Sequence, residues 1–133
     1  LCFEGDIRHV LSNLITNAID AMPNGGRLLI RSRQATDWKT GGKGVVLTLA
    51  DTGTGIERGI RNRVFEPFFT TKGISGSGLG LWISSEIMKR HQGKISIRSS
   101  QINGHGGTVV CVFLPFVADS TVLEVYPPKP TMA

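Results

Sequence analysis

Three groups of residues in this chain have types and spacings that could do chemistry. In Asp51-Thr52-Gly53-Thr54-Gly55-Ile56 a carboxylate is followed by two glycines. Glycines let the backbone turn sharply and let a flat ligand come close to the main chain, although strand, Asp turn and glycine exit also occur together without any ligand. Asn13 and Asn17 are four residues apart and share one face of a helix. Their carboxamide oxygens can ligate a hard cation or accept from a ligand. A merely wet face would favour Glu, Lys or Gln, since mid-helix Asn costs roughly 0.5 kcal/mol against Ala. In Gly76-Ser77-Gly78-Leu79-Gly80-Leu81 glycines stand where a loop becomes a helix. Unpaired N–H groups and the positive end of the helix dipole suit an anion there. The spacing excludes the two common phosphate loops, because no G-x-x-x-x-G-K-S/T occurs and position 81 of the would-be G-x-G-x-x-G is Leu. Lys72, just upstream, can add a point charge to a terminal phosphate.

These residues need elements to position them. Ile7, Val10, Leu11, Leu14, Ile15, Ala18, Ala21 and Met22 recur at helical spacing, so a helix is expected from Ile7 to Met22 with Asp6 as its N-cap and Pro23-Asn24-Gly25-Gly26 as its stop. His9, Asn13, Thr16, Asn17 and Asp20 form its polar stripe. Leu28 to Ala35 and Val45 to Ala50 read as antiparallel strands joined by the turn at 37–44, and the second delivers Asp51 to a sheet rim. Phe65, Phe68 and Phe69 are three aromatics within five residues, a pattern that ordinarily means core, and Pro67 bars a helix interior. Helical periodicity returns from Leu79 to His91, with Gly93 as its cap. Strands are expected at Lys94 to Ser100 and Thr108 to Phe116, and residues 118–133 read as a tail.

At 133 residues, with 40% hydrophobic and 19% charged, the chain is expected to form one domain with one core. The 17 glycines suit loops shaped for backbone contact. The net charge of +5 is spread along the chain, which argues against nucleic acid and for a solvated surface around a polyphosphate site. Cys2 and Cys111 have no metal-ligand spacing, so a reducing, cytoplasmic setting is expected. No run approaches the ~20 apolar residues of a membrane span, and no membrane contact is expected of this domain.

Asn-x-x-x-Asn, D-T-G-T-G-I, F-E-P-F-F-T-T-K and G-S-G-L-G-L, in that order, closely resemble the N, G1, F and G2 boxes of the ATP-binding catalytic domain of sensor histidine kinases, in the wider group of gyrase B, Hsp90 and MutL. The resemblance runs from Asp6 to Pro115 and includes Arg90-His91-Gln92-Gly93. It implies a two-layer α/β sandwich of the Bergerat type, a mixed, mostly antiparallel sheet with helices on one face, over residues 1–117 of a larger protein. It further implies that ATP and Mg²⁺ are bound. Asp51 would accept the adenine amino group, and Gly53, Gly55, Ile56 and Ala21 would form the base pocket. Asn17 would ligate Mg²⁺, and Asn13 would support the phosphates. Gly76, Gly78, Leu79, Gly80 and Leu81 would wrap the phosphates, Lys72 would reach them from a lid anchored by the three Phe, and Thr108 would help hold the adenine through its hydroxyl.

Two departures bear on mechanism. ATP-hydrolysing relatives carry a Glu base where this chain has Asn13, so transfer to a protein is favoured over ATP turnover. Asp20 stands where many sensor kinases have Lys. The reading is a histidine kinase catalytic domain acting on a histidine of a separate dimerisation helix, with a response regulator receiver domain downstream. An acceptor pattern is not found around His9, His91 or His105. An anti-sigma-type serine kinase and a catalytically inactive nucleotide-sensing module on the same fold are the alternatives.

Overall fold

The computed structural model describes residues 4–70, 78–102 and 105–116. Among the described residues the elements in chain order are helix α1 (Glu4–Asp20), strands β1 (Leu28–Thr36) and β2 (Lys43–Asp51), a 3₁₀ segment (Arg58–Arg63), helix α2 (Gly80–Arg90), and strands β3 (Lys94–Ser100) and β4 (Gly107–Pro115). The sheet order is β1-β2-β4-β3, and every pairing is antiparallel. Because β4 inserts between β2 and β3, one row runs across the sheet rim from Leu28 through Asp51 and Thr108 to Ser99. That insertion brings the end of β2, the start of β4 and the end of β3 together.

Both helices pack on one face of the sheet. Val10 and Leu14 of α1, Ile87 and Met88 of α2, Leu49 of β2 and Val110 and Val112 of β4 make the core. The strand residues alternate, Leu49 with Leu47 and Val110 with Val112, as a half-buried pleat requires. Burying each such side chain contributes about 1.5–3 kcal/mol. The apolar stripe expected of α1 is the one buried, at Val10, Leu14 and Ala18.

Several boundaries differ from the sequence reading. Helix α1 extends N-terminally to Glu4, so Asp6 lies inside its first turn. The Asp6 carboxylate does not cap. It meets Nε2 of the buried His91 at 3.1 Å, tying the start of α1 to the end of α2. At that end the Gly93 amide donates to the Met88 carbonyl at 2.7 Å and the Gln92 amide to Lys89 at 3.1 Å, the double bond of a Schellman stop. The left-handed residue is Gln92, at φ 57°, and not Gly93. Glycine is needed at 93 for space, since a Cβ there would lie 2.5 Å from the Phe113 carbonyl.

Of the three clustered phenylalanines, Phe65 and Phe69 are partly buried, whereas Phe68 is 76% exposed at φ 66°. Phe68 is therefore not core. The backbone of Phe68 lies against Gly78, where an added Cβ would overlap it, so the left-handed turn and the glycine fit each other. Residues 58–63 form the 3₁₀ segment. The strand after the glycine turn starts at Gly107 and ends at Pro115. The expected tail at 118–133 lies outside the described residues.

Candidate functional site

Asp51 ends β2 and is fastened by two backbone donors. The Gly53 amide donates to Oδ1 at 2.9 Å and the Thr108 amide to the same oxygen at 3.3 Å. Among the described residues both bonds of this carboxylate fall on Oδ1. The following loop is seated on the end of α1. The Thr54 amide donates to the Ala21 carbonyl at 2.9 Å, and a Cβ at Gly53 would come within 2.5 Å of that oxygen. Gly55 sits at φ 73°, where a Cβ would overlap the Ser100 carbonyl. Only glycine meets both demands there.

A cavity of about 980 Å³ opens between α1, the sheet rim, the 3₁₀ segment and the start of α2. Its walls include Asn13, Asn17 and Ala21 from α1, Asp51, Gly55 and Ile56 from the β2 exit, and Thr108 from β4. Gly78, Gly80 and Leu81 close it from the start of α2. Gly53 and Leu79 are not in the wall; Gly53 packs under it against Ala21, and Leu79 is the N-cap position of α2. Lys72 and Gly76 lie outside the described residues. Thr16 and Asp20 of the polar stripe also line the cavity, while His9 is exposed elsewhere on α1.

The two asparagines are placed differently. Nδ2 of Asn13 faces the Gly80 carbonyl and Ser84 Oγ, both at 3.4 Å, which docks α1 against the first turn of α2. Its amide nitrogen thereby faces α2. Asn17 is one turn further along in the same wall. Leu79, the N-cap position of α2, makes no side-chain cap bond, and Gly78 and Gly80 line the cavity on either side of it; a helix start of this kind suits an anion.

The chemistry of these donors fits Mg²⁺. The wall supplies carboxamide and carboxylate oxygens at Asn17 and Asp20, and among the described residues no group of three His, Cys, Asp or Glu could form a protein cage. Mg²⁺ is held by one or two protein oxygens together with substrate phosphates and water.

Four further contributors were not found from the sequence. Ser99 Oγ receives the Ile56 amide at 2.7 Å, donates to the Gly107 carbonyl at 3.0 Å and lies 2.8 Å from Thr108 Oγ1. Its alternation in β3 looked like any strand serine. Arg61 Nε donates to the Ile56 carbonyl at 3.2 Å, and Ile60 and Val64 supply apolar wall to the cavity. The i, i+4 spacing of Ile60 and Val64 was the available signal.

Residues 3–118 match the family model for histidine kinase-, DNA gyrase B-, and HSP90-like ATPases. The chain is 35% identical over 106 residues to the signal transduction histidine-protein kinase AtoS of Escherichia coli (strain K12), covering 80% of this chain and 16% of AtoS. The mycobacterial sensor histidine kinase MprB superposes with a TM-score of 0.74 at 28% identity, over 86% of this chain and 75% of that one. Full-length ShkA in complex with AMPPNP gives a TM-score of 0.70 at 31% identity, over 87% of this chain and 22% of ShkA. The chain thus spans less than a fifth of the length of AtoS.

Proposed function

This chain belongs to the histidine kinase-, DNA gyrase B- and HSP90-like ATPase family, as an ATP-binding catalytic domain of the sensor histidine kinase kind, and from that premise we propose that it presents the γ-phosphate of ATP to a histidine on a separate helical domain. The phosphoryl group would pass onward to a response regulator receiver domain. The observation that carries this reading is that Asp51 and the start of α2, at Gly78, Gly80 and Leu81, line the same cavity, together with Asn13 and Asn17.

In this reading the Asp51 carboxylate accepts the adenine amino group, and Gly55, Ile56, Ala21 and Thr108 enclose the base. Gly53 lets the loop approach α1. At the other end of the cavity Gly78, Gly80 and Leu81 hold the phosphates, and phosphate contacts by Leu79, Gly76 and Lys72 belong to the same proposal, the last two being outside the described residues. Asn17 would ligate Mg²⁺, which supplies charge neutralisation at the transferring phosphates. Asn13 orients the start of α2 through Gly80 and Ser84. With no carboxylate at position 13, water is not activated and a protein acceptor is favoured. Among the described residues no helix is long and apolar enough to cross a membrane, and a cytoplasmic setting belongs to the same proposal.

The test is phosphotransfer in the full-length protein with radiolabelled ATP. An acid-labile, base-stable phosphoprotein, lost in Asn17→Ala, supports transfer to histidine. An acid-stable product would mean a serine kinase, and ATP binding without any transfer a nucleotide-sensing module.

A further inference from the structure

We infer that Ser99 sets the hydrogen-bonding polarity of Thr108, so that the base pocket meets the 6-position of a purine with acceptors only and discriminates 6-amino from 6-oxo purines. The inference rests on the nucleotide reading of the cavity and assigns a positioning role to a residue outside its wall. Ser99 Oγ has three polar neighbours: the Ile56 amide at 2.7 Å, the Gly107 carbonyl at 3.0 Å and Thr108 Oγ1 at 2.8 Å. A hydroxyl has one proton and two lone pairs. The Ile56 N–H can only donate and the Gly107 C=O can only accept, so the Ser99 proton goes to Gly107. The Thr108 hydroxyl must then donate its own proton to Ser99.

Thr108 is 9% exposed and lines the cavity, and with its proton committed it has only lone pairs to offer a ligand. Asp51, its partner across the β2–β4 ladder, is acceptor-only when ionised. The two side chains at this rung therefore demand a donor. A 6-amino group satisfies them. A 6-oxo group would set its own lone pairs against theirs, and unpaired buried polar groups carry a heavy penalty. Without the Ser99 hydroxyl, the Thr108 O–H is released to rotate and donate to a 6-oxo group, so part of the discrimination disappears. A merely structural Ser99, holding Ile56 in place, would weaken both purines alike.

The test is the ratio of ITP to ATP dissociation constants, measured by competition on the whole chain, for the wild type, Ser99→Ala, Ser99→Cys, Ser99→Thr, Thr108→Val and the Ser99→Ala/Thr108→Val pair, each with a thermal unfolding curve. We expect the ratio to fall about tenfold in Ser99→Ala, the size of one hydrogen bond, and to fall likewise in Ser99→Cys, which keeps the packing but is a weak acceptor for the Thr108 proton. Ser99→Thr, which keeps the hydroxyl, should retain the wild-type ratio. With Thr108 already valine, Ser99→Ala should leave the ratio unchanged. An unchanged ratio in Ser99→Ala and Ser99→Cys, or a ratio that falls as far when Thr108 is absent, overturns the inference while leaving the nucleotide reading standing. A wild type that does not prefer ATP to ITP overturns both.

Discussion

The amide of Thr108 donates to Oδ1 of Asp51 across 3.3 Å, at the rung where β2 and β4 meet. The end of the sheet is thus closed partly through a side chain, and the Gly53 amide adds a second bond to the same oxygen at 2.9 Å. The carboxylate is held by backbone on two sides before any ligand arrives. Asp51→Asn can preserve both bonds by keeping its carbonyl oxygen toward the two amides, but it then turns an NH₂ to the cavity. Such a variant should unfold within a few degrees of the wild type while ATP affinity falls about tenfold to a hundredfold. Parallel thermal unfolding and calorimetric titration would read both quantities, and unaltered ATP affinity would remove Asp51 from the base contact.

Asn17→Ala deletes the carboxamide proposed for Mg²⁺ but leaves Asp51, Ile56 and Thr108 untouched. Adenosine should bind the variant as it binds the wild type. The gain in ATP affinity on adding Mg²⁺ should disappear. If magnesium still strengthened ATP binding to the same degree, the ligand would lie elsewhere in the wall.

Gly55 combines a left-handed backbone at φ 73° with contact against the Ser100 carbonyl. Gly55→Ala has neither a comfortable conformation nor room, so the loop must move. A loss of about 1–3 kcal/mol in denaturant unfolding is expected, together with a large loss of ATP affinity. Gly59, where a Cβ would meet nothing within 4 Å, is the control, and Gly59→Ala should leave nucleotide binding unchanged.

At the opposite end of the sheet the Lys94 ammonium lies 2.5 Å from Asp37. That hydrogen bond, then the Lys39 amide, holds the Asp37 carboxyl below its ordinary 3.8. A depressed folded-state value means that the tie stabilises the fold above the ordinary carboxylate range and is lost as pH falls through the lowered value. Carbon NMR titration should find Asp37 ionising below 3.8, and Lys94→Met should move it upward without affecting the cavity.

The sequence made the elements legible wherever one face is apolar and the other polar. The stripe of Val10, Leu14 and Ala18 and the alternation of Leu47, Leu49, Val110 and Val112 are the core that forms. Glycines that must approach backbone, Gly53 and Gly55, were legible because no other residue serves there. Contacts between distant segments were not. Asp6 looked like a cap because Asp before an apolar stripe normally is one, yet it is drawn to His91 at the far end of α2. Gln92 took the left-handed position since Gly93 was required for space beside Phe113. Phe68 has a core composition but sits at a left-handed turn that points it outward. Ser99 carries no local signal, because its importance arises only when β4 inserts between β2 and β3.

The most direct test of the central claim, that this cavity reads adenine through Asp51, is calorimetric titration of the chain with ATP and with GTP, each in the presence of Mg²⁺. ATP should bind at one site per chain, and GTP, which sets an oxygen where adenine has its amino group, should bind at least about tenfold more weakly. Equal affinity for the two nucleotides, or no saturable binding of ATP, would contradict the account.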